Sequence, residues 1–184
     1  MKRLLIILSA LLIAGGTAYA QDTMADAVND WANGWKYAFS KDGKKNWESE
    51  YTLRWRSGFF TDGAKFTGGI RVDEKRTLGV FAGAAKTWDD ATPATIKSIS
   101  LGLTFRRYWH FGQKKIFALY SDIYAGAGYV YSVSNPESYM EEGSVLFVGG
   151  LEPGIRVRCY KNLHIFLGPT IATDSIGLHL GVGF

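Results

Sequence analysis

Apolar residues alternate with small or polar residues at the end of this chain. Residues 176–184 read IGLHLGVGF, so every second position is apolar over nine residues. A period of two residues is typical of a β-strand whose faces have different surroundings. This pattern favours a sheet and excludes a helical bundle for this part of the chain.

The same alternation recurs in seven segments further upstream. We expect strands over residues 48–59, 64–73, 77–88, 95–109, 115–133, 144–159, 162–172 and 175–184. Several of them exceed the roughly 9 to 11 residues with which a tilted strand crosses a bilayer. The pattern therefore predicts eight strands, some of which project beyond a membrane.

The two faces of the predicted strands differ in chemistry, because one is apolar and the other mixes glycine, tyrosine and charged residues. The predicted charge network on the mixed face is Arg54, Arg56, Arg71, Arg106, Asp122, Glu152, Arg156 and Arg158, with Lys65, His164 and His179 on the same face. A soluble sandwich would bury a uniformly apolar face between its sheets. A narrow barrel can instead accommodate glycines and neutralising charges inside, while lipid covers its apolar face. Residues 47–184 are thus predicted to be all-β, an eight-stranded antiparallel up-and-down transmembrane β-barrel.

Polar turns separate the predicted strands and fall alternately at the two ends of the barrel. Residues 73–76, 112–115 and 160–162 lie at one end, and residues 61–63, 89–94 and 135–143 lie at the other. In bacterial barrels the short turns face the periplasm and the longer loops face outward. The outer connection near Thr173 and Asp174 is unusually tight. Aromatic residues near strand ends suit interfacial girdles, with ordinary strand packing as the alternative.

The first twenty residues have the three parts of a secretory signal. Lys2 and Arg3 precede an apolar run over residues 4–14, and Ala18-Tyr19-Ala20 forms a small-residue cleavage site. A transmembrane helix is the alternative, but the run is shorter than the roughly 20 residues that a span requires. We expect cleavage after Ala20, without a lipid anchor because no cysteine stands at the junction.

Residues 21–46 do not alternate and are predicted to form a separate periplasmic or interfacial segment. Met24, Val28, Trp31 and Trp35 are spaced as on one face of a helix. A flexible leader is the alternative, and a hairpin within this segment would change the strand count.

Composition excludes several classes of function. Removal of residues 1–20 takes away two lysine or arginine charges, so the net charge falls from +4 to +2, and the chain is mildly basic without the dense basic run of a nucleic-acid-binding domain. Cys159, the single cysteine, has no disulfide partner within the chain and is expected to be inert. Ligand-spaced His or Cys pairs and phosphate-binding glycine loops do not occur. We therefore expect no cofactor, no metal and no nucleic-acid partner.

Residues 47–184 resemble the small bacterial outer-membrane barrels of the OmpA and OmpX type, particularly the Bacteroidetes outer-membrane β-barrel proteins. The most specific feature resembles the C-terminal insertion signal of such barrels, which ends in an aromatic residue. It comprises Gly177, Leu178, Leu180, Val182 and Phe184. The resemblance implies export through the periplasm to the bacterial cell outer membrane. It also implies a monomer whose partners are outer-membrane lipids, lipopolysaccharide and the barrel assembly machinery, but it transfers no biochemical activity.

Three functions remain open. A structural or surface-interaction role without catalysis is preferred, since side chains can fill an eight-stranded interior. The excess of basic residues in the predicted lumen leaves a narrow, porin-like, anion-preferring channel as the alternative. A lipid A-modifying enzyme ranks lower, because His110, His164 and His179 lack the His-x-Ser arrangement of the deacylases, and Ser175 is roughly 13 Å from His179 along a strand. Glu137, Glu141 and Glu142 make an acidic outer loop that could bind a partner or simply be solvated.

Overall fold

The computed structural model describes residues 36, 39–89, 94–112 and 115–184. The predicted signal peptide and residues 21–35 lie outside the described residues. The chain divides into two units, Met1–Lys45 and Asn46–Phe184. In the first unit the Oγ of Ser40 accepts a hydrogen bond of 3.0 Å from the amide of Gly43, where a short 3-10 helix (Gly43–Asn46) begins.

The second unit contains eight strands that close into one barrel. They are β1 (Glu48–Gly58), β2 (Thr61–Asp73), β3 (Arg76–Asp89), β4 (Ala94–Phe111), β5 (Phe117–Val133), β6 (Val145–Tyr160), β7 (Leu163–Ala172) and β8 (Ile176–Gly183). Each strand pairs antiparallel with the next, and β8 pairs with β1. The predicted eight-stranded antiparallel fold is confirmed. The described residues contain no helix long and apolar enough to cross a membrane.

The predicted turn at residues 61–63 is wrong. β2 already begins at Thr61, and the chain reverses at Phe59 and Phe60. The polar residues that suggested a turn instead form hydrogen bonds from within the strands. The Ser57 hydroxyl of β1 donates a hydrogen bond of 2.7 Å to Asp62 of β2. Thr61 is buried and donates to the backbone carbonyl of Asp174 at 2.9 Å.

β5 begins two residues later than predicted, at Phe117. Lys115 has a φ of 48° and Gly112 a φ of 70°, so both lie in the left-handed region and belong to the turn. Residues 113 and 114 of the predicted turn are outside the described part. The tight connection between β7 and β8 follows the prediction, because Ala172 and Ser175 exchange backbone hydrogen bonds around Thr173 and Asp174.

Alternate side chains point inward and outward along every strand. On β4, for example, Leu101 and Leu103 are 65 and 70% exposed, whereas Thr104 and Arg106 are buried. Exposed apolar residues thus cover the outside, and charged residues lie inside. This distribution of apolar and charged side chains is the reverse of that in a soluble protein. The outer surface of the barrel is therefore apolar.

Glycines allow bulky groups to occupy the interior. Gly102 of β4 lies directly opposite Gly126 of β5. A Cβ atom on Gly102 would lie 2.7 Å from Cε1 of Phe81, a fully buried ring, and 2.5 Å from the Cα of Gly126. The two glycines therefore leave the space in which Phe81 packs.

Candidate functional site

Five charged side chains from five strands meet in the middle of the barrel. We call them the central network: Arg54 (β1), Lys65 (β2), Arg106 (β4), Asp122 (β5) and Glu152 (β6). None is more than 6% exposed. Charges so removed from water must be neutralised by partners in the interior.

The strand register places like charges side by side on β1–β2 and on β5–β6, whereas on β4–β5 Arg106 is directly opposite Asp122. Arg54 is directly opposite Lys65 on β1 and β2, and Asp122 is directly opposite Glu152 on β5 and β6. In an eight-stranded closed barrel β5 faces β1, and β6 faces β2. The basic wall and the acidic wall therefore attract each other through the lumen.

Each carboxylate of the central network contacts two cations. Asp122 forms ion pairs with Arg54 and with Arg106, whose Nη2 lies 3.0 Å from Oδ2. Glu152 Oε2 lies 2.5 Å from Arg54 Nη1 and 2.8 Å from Lys65 Nζ. The Thr104 hydroxyl also donates to Asp122. These contacts bridge opposite walls and fill the lumen at this height.

A second group of charged residues surrounds Glu50, nearer the end of the barrel where β1 begins. Glu50 accepts hydrogen bonds from the Tyr108 hydroxyl at 2.6 Å and from Arg71 Nη2 at 2.7 Å, and it pairs with Arg106. Glu50 lies inside the barrel, although the charge network predicted from the sequence does not include it. Glu50 lies two residues before the buried Thr52, so the period of two places both side chains on the inward face of β1.

Arg156 lies inside the barrel but contacts none of the described carboxylates at ion-pair distance. Its Nη2 lies 3.0 Å from His110 Nε2, and its guanidinium carbon lies 4.4 Å from the centre of the Tyr108 ring. Arg158 is the register partner of the buried His164, but its own side chain is exposed, next to the point where the β6–β7 register shifts between Arg158 and Tyr160. The assignment of Arg158 to the lumen network stays a prediction.

The opposite, loop-bearing end of the lumen contains a separate ion pair. Arg56 donates to Asp174 through Nη1 at 3.0 Å and also through Nη2. Beyond it lies a cavity of about 370 Å³ lined by apolar residues such as Ile96, Val130 and Leu146. The interior residues predicted from the sequence thus divide into three groups at different heights.

His179 has no free ring nitrogen for chemistry with Ser175. Its Nε2 contacts the Tyr120 hydroxyl, and its Nδ1 lies 3.0 Å from the Thr170 hydroxyl. A serine nucleophile needs an adjacent base within hydrogen-bond reach. Within the described residues, no group of three or more His, Cys, Asp or Glu side chains could hold a metal ion.

One ion pair joins two turns outside the strands, at the end of the barrel where β1 begins. Lys115 Nζ lies 2.6 Å from Glu74 Oε1. The hydrogen bond from Lys115, together with its positive charge, lowers the pKa of Glu74. Both side chains are exposed, so the pair contributes less than about 1 kcal/mol.

Comparison with known proteins places the chain beside other barrels only at low sequence identity. No protein-family model and no curated protein sequence matches it. Among solved structures it is similar to Neisserial surface protein A (NspA), with 12% identity, 74% of this chain and 92% of that chain covered, and a TM-score of 0.49. It is also similar to Ail, the attachment invasion locus protein of Yersinia pestis, with 11% identity, 74% and 93% covered, and a TM-score of 0.41.

Proposed function

We propose that this chain is an integral outer-membrane barrel with a closed lumen and a structural or surface-interaction role. The observation that carries the proposal is the uncharged, apolar outer wall around a charged, filled interior. Such a wall is stable against lipid, and a closed barrel leaves no unpaired strand edge in the membrane.

The height of the outer wall supports the membrane assignment. On β3 and β4 a row of basic residues bounds the apolar positions at each end. Arg76 and Arg107 are register partners in one row, and Lys86 and Lys97 are register partners in the other. Ten residues separate the rows on each strand, which is about 33 Å along a strand and roughly 25 Å along the axis at a tilt of about 40°. This equals the apolar band expected of an outer-membrane barrel.

The other six strands carry an equally uncharged outer face. Outward positions within residues 51–57, 64–70, 117–133, 145–157, 163–171 and 176–184 contain no Asp, Glu, Lys or Arg. Tyr51, Trp55, Tyr129 and Tyr131 are among the exposed aromatic residues of this wall. A charged side chain on a lipid face would cost about 2 to 4 kcal/mol at the midplane, so their uniform exclusion supports contact with lipid.

The central network argues against the anion-preferring channel. Its ion pairs connect opposite walls at one height, and a permeating anion would have to displace Asp122 or Glu152 from buried cations. Breaking one buried pair costs about 3 to 5 kcal/mol. We infer that no steady ion current passes through the lumen. We also infer that the interior side chains catalyse no reaction.

Assembly would use the exposed face of β8. Leu178, Leu180, Val182 and Phe184 all point outward, and the backbone of Phe184 exchanges two hydrogen bonds of 2.9 Å with Tyr51 of β1. The terminal residue thus completes the closing seam while its ring stays accessible. This geometry suits recognition by the barrel assembly machinery before closure.

The test uses protein made from the full-length sequence and extracted from bacterial outer membranes in detergent. We expect β-rich circular dichroism, a gel mobility that shifts on boiling, and no discrete conductance steps in planar bilayers. Recovery only in the soluble fraction, without a heat shift, would contradict the membrane assignment. Stable conductance steps would instead support the channel and refute the closed lumen.

A further inference from the structure

Two lysines face outward side by side at the loop-bearing margin of the apolar wall. Lys86 of β3 and Lys97 of β4 are register partners, and both side chains are exposed. Like charges directly opposite each other on neighbouring strands destabilise a sheet. An anion that contacts both ammonium groups would relieve this repulsion.

The described residues do not supply that anion. Asp62 is the register partner of Lys86 on its other side, but it accepts a hydrogen bond from Ser57, and no ion pair between Asp62 and either lysine occurs among the described residues. At the opposite margin one member of the corresponding row, Arg76, forms an ion pair with Asp73. In the loop-side row, neither lysine forms an ion pair with a described carboxylate.

The surroundings of the lysine pair are those of a membrane interface. Immediately below it, Ala84 and Ile99 are register partners on the apolar wall. Lys86 Nζ lies 5.1 Å from the centre of the Trp88 ring, and Tyr131 is 45% exposed on the neighbouring strand. Aromatic and basic side chains together occupy the height of lipid headgroups.

We propose that Lys86 and Lys97 bind the phosphate of an anionic lipid in the leaflet on the loop side. Both ammonium groups would donate to one phosphate while the acyl chains lie against Ile99 and Leu101 below. The inference rests on the proposed membrane function and adds a specific partner and site to it. A phosphate lipid, rather than free phosphate, is favoured because the apolar wall continues directly from the lysines.

The experiment measures lipid retention by native mass spectrometry of the detergent-extracted full chain. The probes are phosphatidic acid, diacylglycerol with the same acyl chains, and inorganic phosphate. We expect retention of phosphatidic acid, weaker retention of diacylglycerol, and no displacement by an equal concentration of inorganic phosphate. Equal retention of the two lipids, or displacement by inorganic phosphate, would overturn the proposal.

Variants locate the site. Each of Lys86→Gln and Lys97→Gln should weaken phosphatidic acid binding about five-fold, and the double variant about 25-fold. The matched control, Lys75→Gln with Lys161→Gln, removes two turn lysines and should change binding less than two-fold, as should Lys86→Arg with Lys97→Arg. An equal loss in the control pair would overturn the proposal.

The shift of gel mobility on boiling distinguishes failure of the lysine site from failure of the proposed membrane barrel. All variants should keep the shift, because removing an unneutralised lysine relieves repulsion. Loss of the shift in the unaltered chain would refute the membrane barrel itself. A shifted glutamine double variant with unchanged lipid binding would refute only the lysine site. Either single glutamine variant provides the same test if the double variant does not fold.

Discussion

Arg54 of β1 forms an ion pair with Asp122 of β5, 68 residues later and directly across the barrel. The pair ties together two strands that share no backbone hydrogen bond. Its loss should therefore affect the whole barrel and not one hairpin.

Asp122→Ala should destabilise the barrel by about 3 to 5 kcal/mol, because Arg54 and Arg106 would each lose a buried carboxylate partner. Urea unfolding followed by heat-shifted gel mobility measures the effect. Glu137→Ala, in the exposed outer loop, is the control and should stay within about 0.5 kcal/mol. Equal stability of the two variants would show that the central network contributes nothing.

Arg54→Leu combined with Asp122→Leu should be less destabilising than the sum of the two single changes. Each single variant leaves an uncompensated charge, whereas the double variant leaves Glu152 with Lys65 and Arg106 with Glu50. A double-mutant cycle should give a coupling of about 1 to 3 kcal/mol. Additive effects would mean that the two side chains act independently.

Gly102→Ala should destabilise the barrel by about 1 to 3 kcal/mol through overpacking against Phe81 and Gly126. Gly68→Ala is the matched control, since its Cβ would meet Tyr51 Cε1 at an ordinary distance of 3.5 Å. Unfolding midpoints in urea compare the two. If both variants are equally stable, the close approach at Gly102 does not limit packing.

Phe184→Ala should lower the amount of heat-shifted barrel recovered from outer membranes of living cells. Purified protein should still refold in detergent, because the backbone hydrogen bonds to Tyr51 do not need the ring. Phe111→Ala removes another exposed aromatic at a strand end and should leave assembly unchanged. A matching loss of refolding in detergent would assign Phe184 a structural role instead.

Lys115→Gln should return the pKa of Glu74 toward its usual range, because the hydrogen bond and charge that lower it are removed. A carboxylate with a lowered pKa in the folded state adds stability above its unfolded pKa and loses it as pH falls through the folded value. NMR titration of the Glu74 side chain measures this shift. Lys97→Gln, at the other end of the barrel, should leave that titration unchanged.

The period of two was sufficient to predict the strands and their two faces. It placed Arg54, Arg106, Asp122 and Glu152 inside, because a membrane barrel excludes charge from the lipid-facing band of its outer wall. The turn between β1 and β2 was misplaced, since Asp62 and Gly63 are turn-forming residues that here continue a strand.

The partners inside the lumen could not be predicted from the sequence. Periodicity assigns a residue to a face, but its height depends on the stagger between strands, which is set by the closing of β8 on β1. Glu50 and Arg158 illustrate the difference: both follow the inward period, yet Glu50 is buried and Arg158 is exposed.

The basic and acidic walls constrain the order in which the barrel can enter a bilayer. A half-inserted sheet of β1–β4 would hold the buried cations Arg54 and Lys65 apart from Asp122 and Glu152, the carboxylates of β5 and β6 that neutralise them. Each half alone would carry uncompensated charge into the hydrocarbon. We therefore expect membrane entry and ring closure to be coupled, with the second half neutralising the first as both cross the interface.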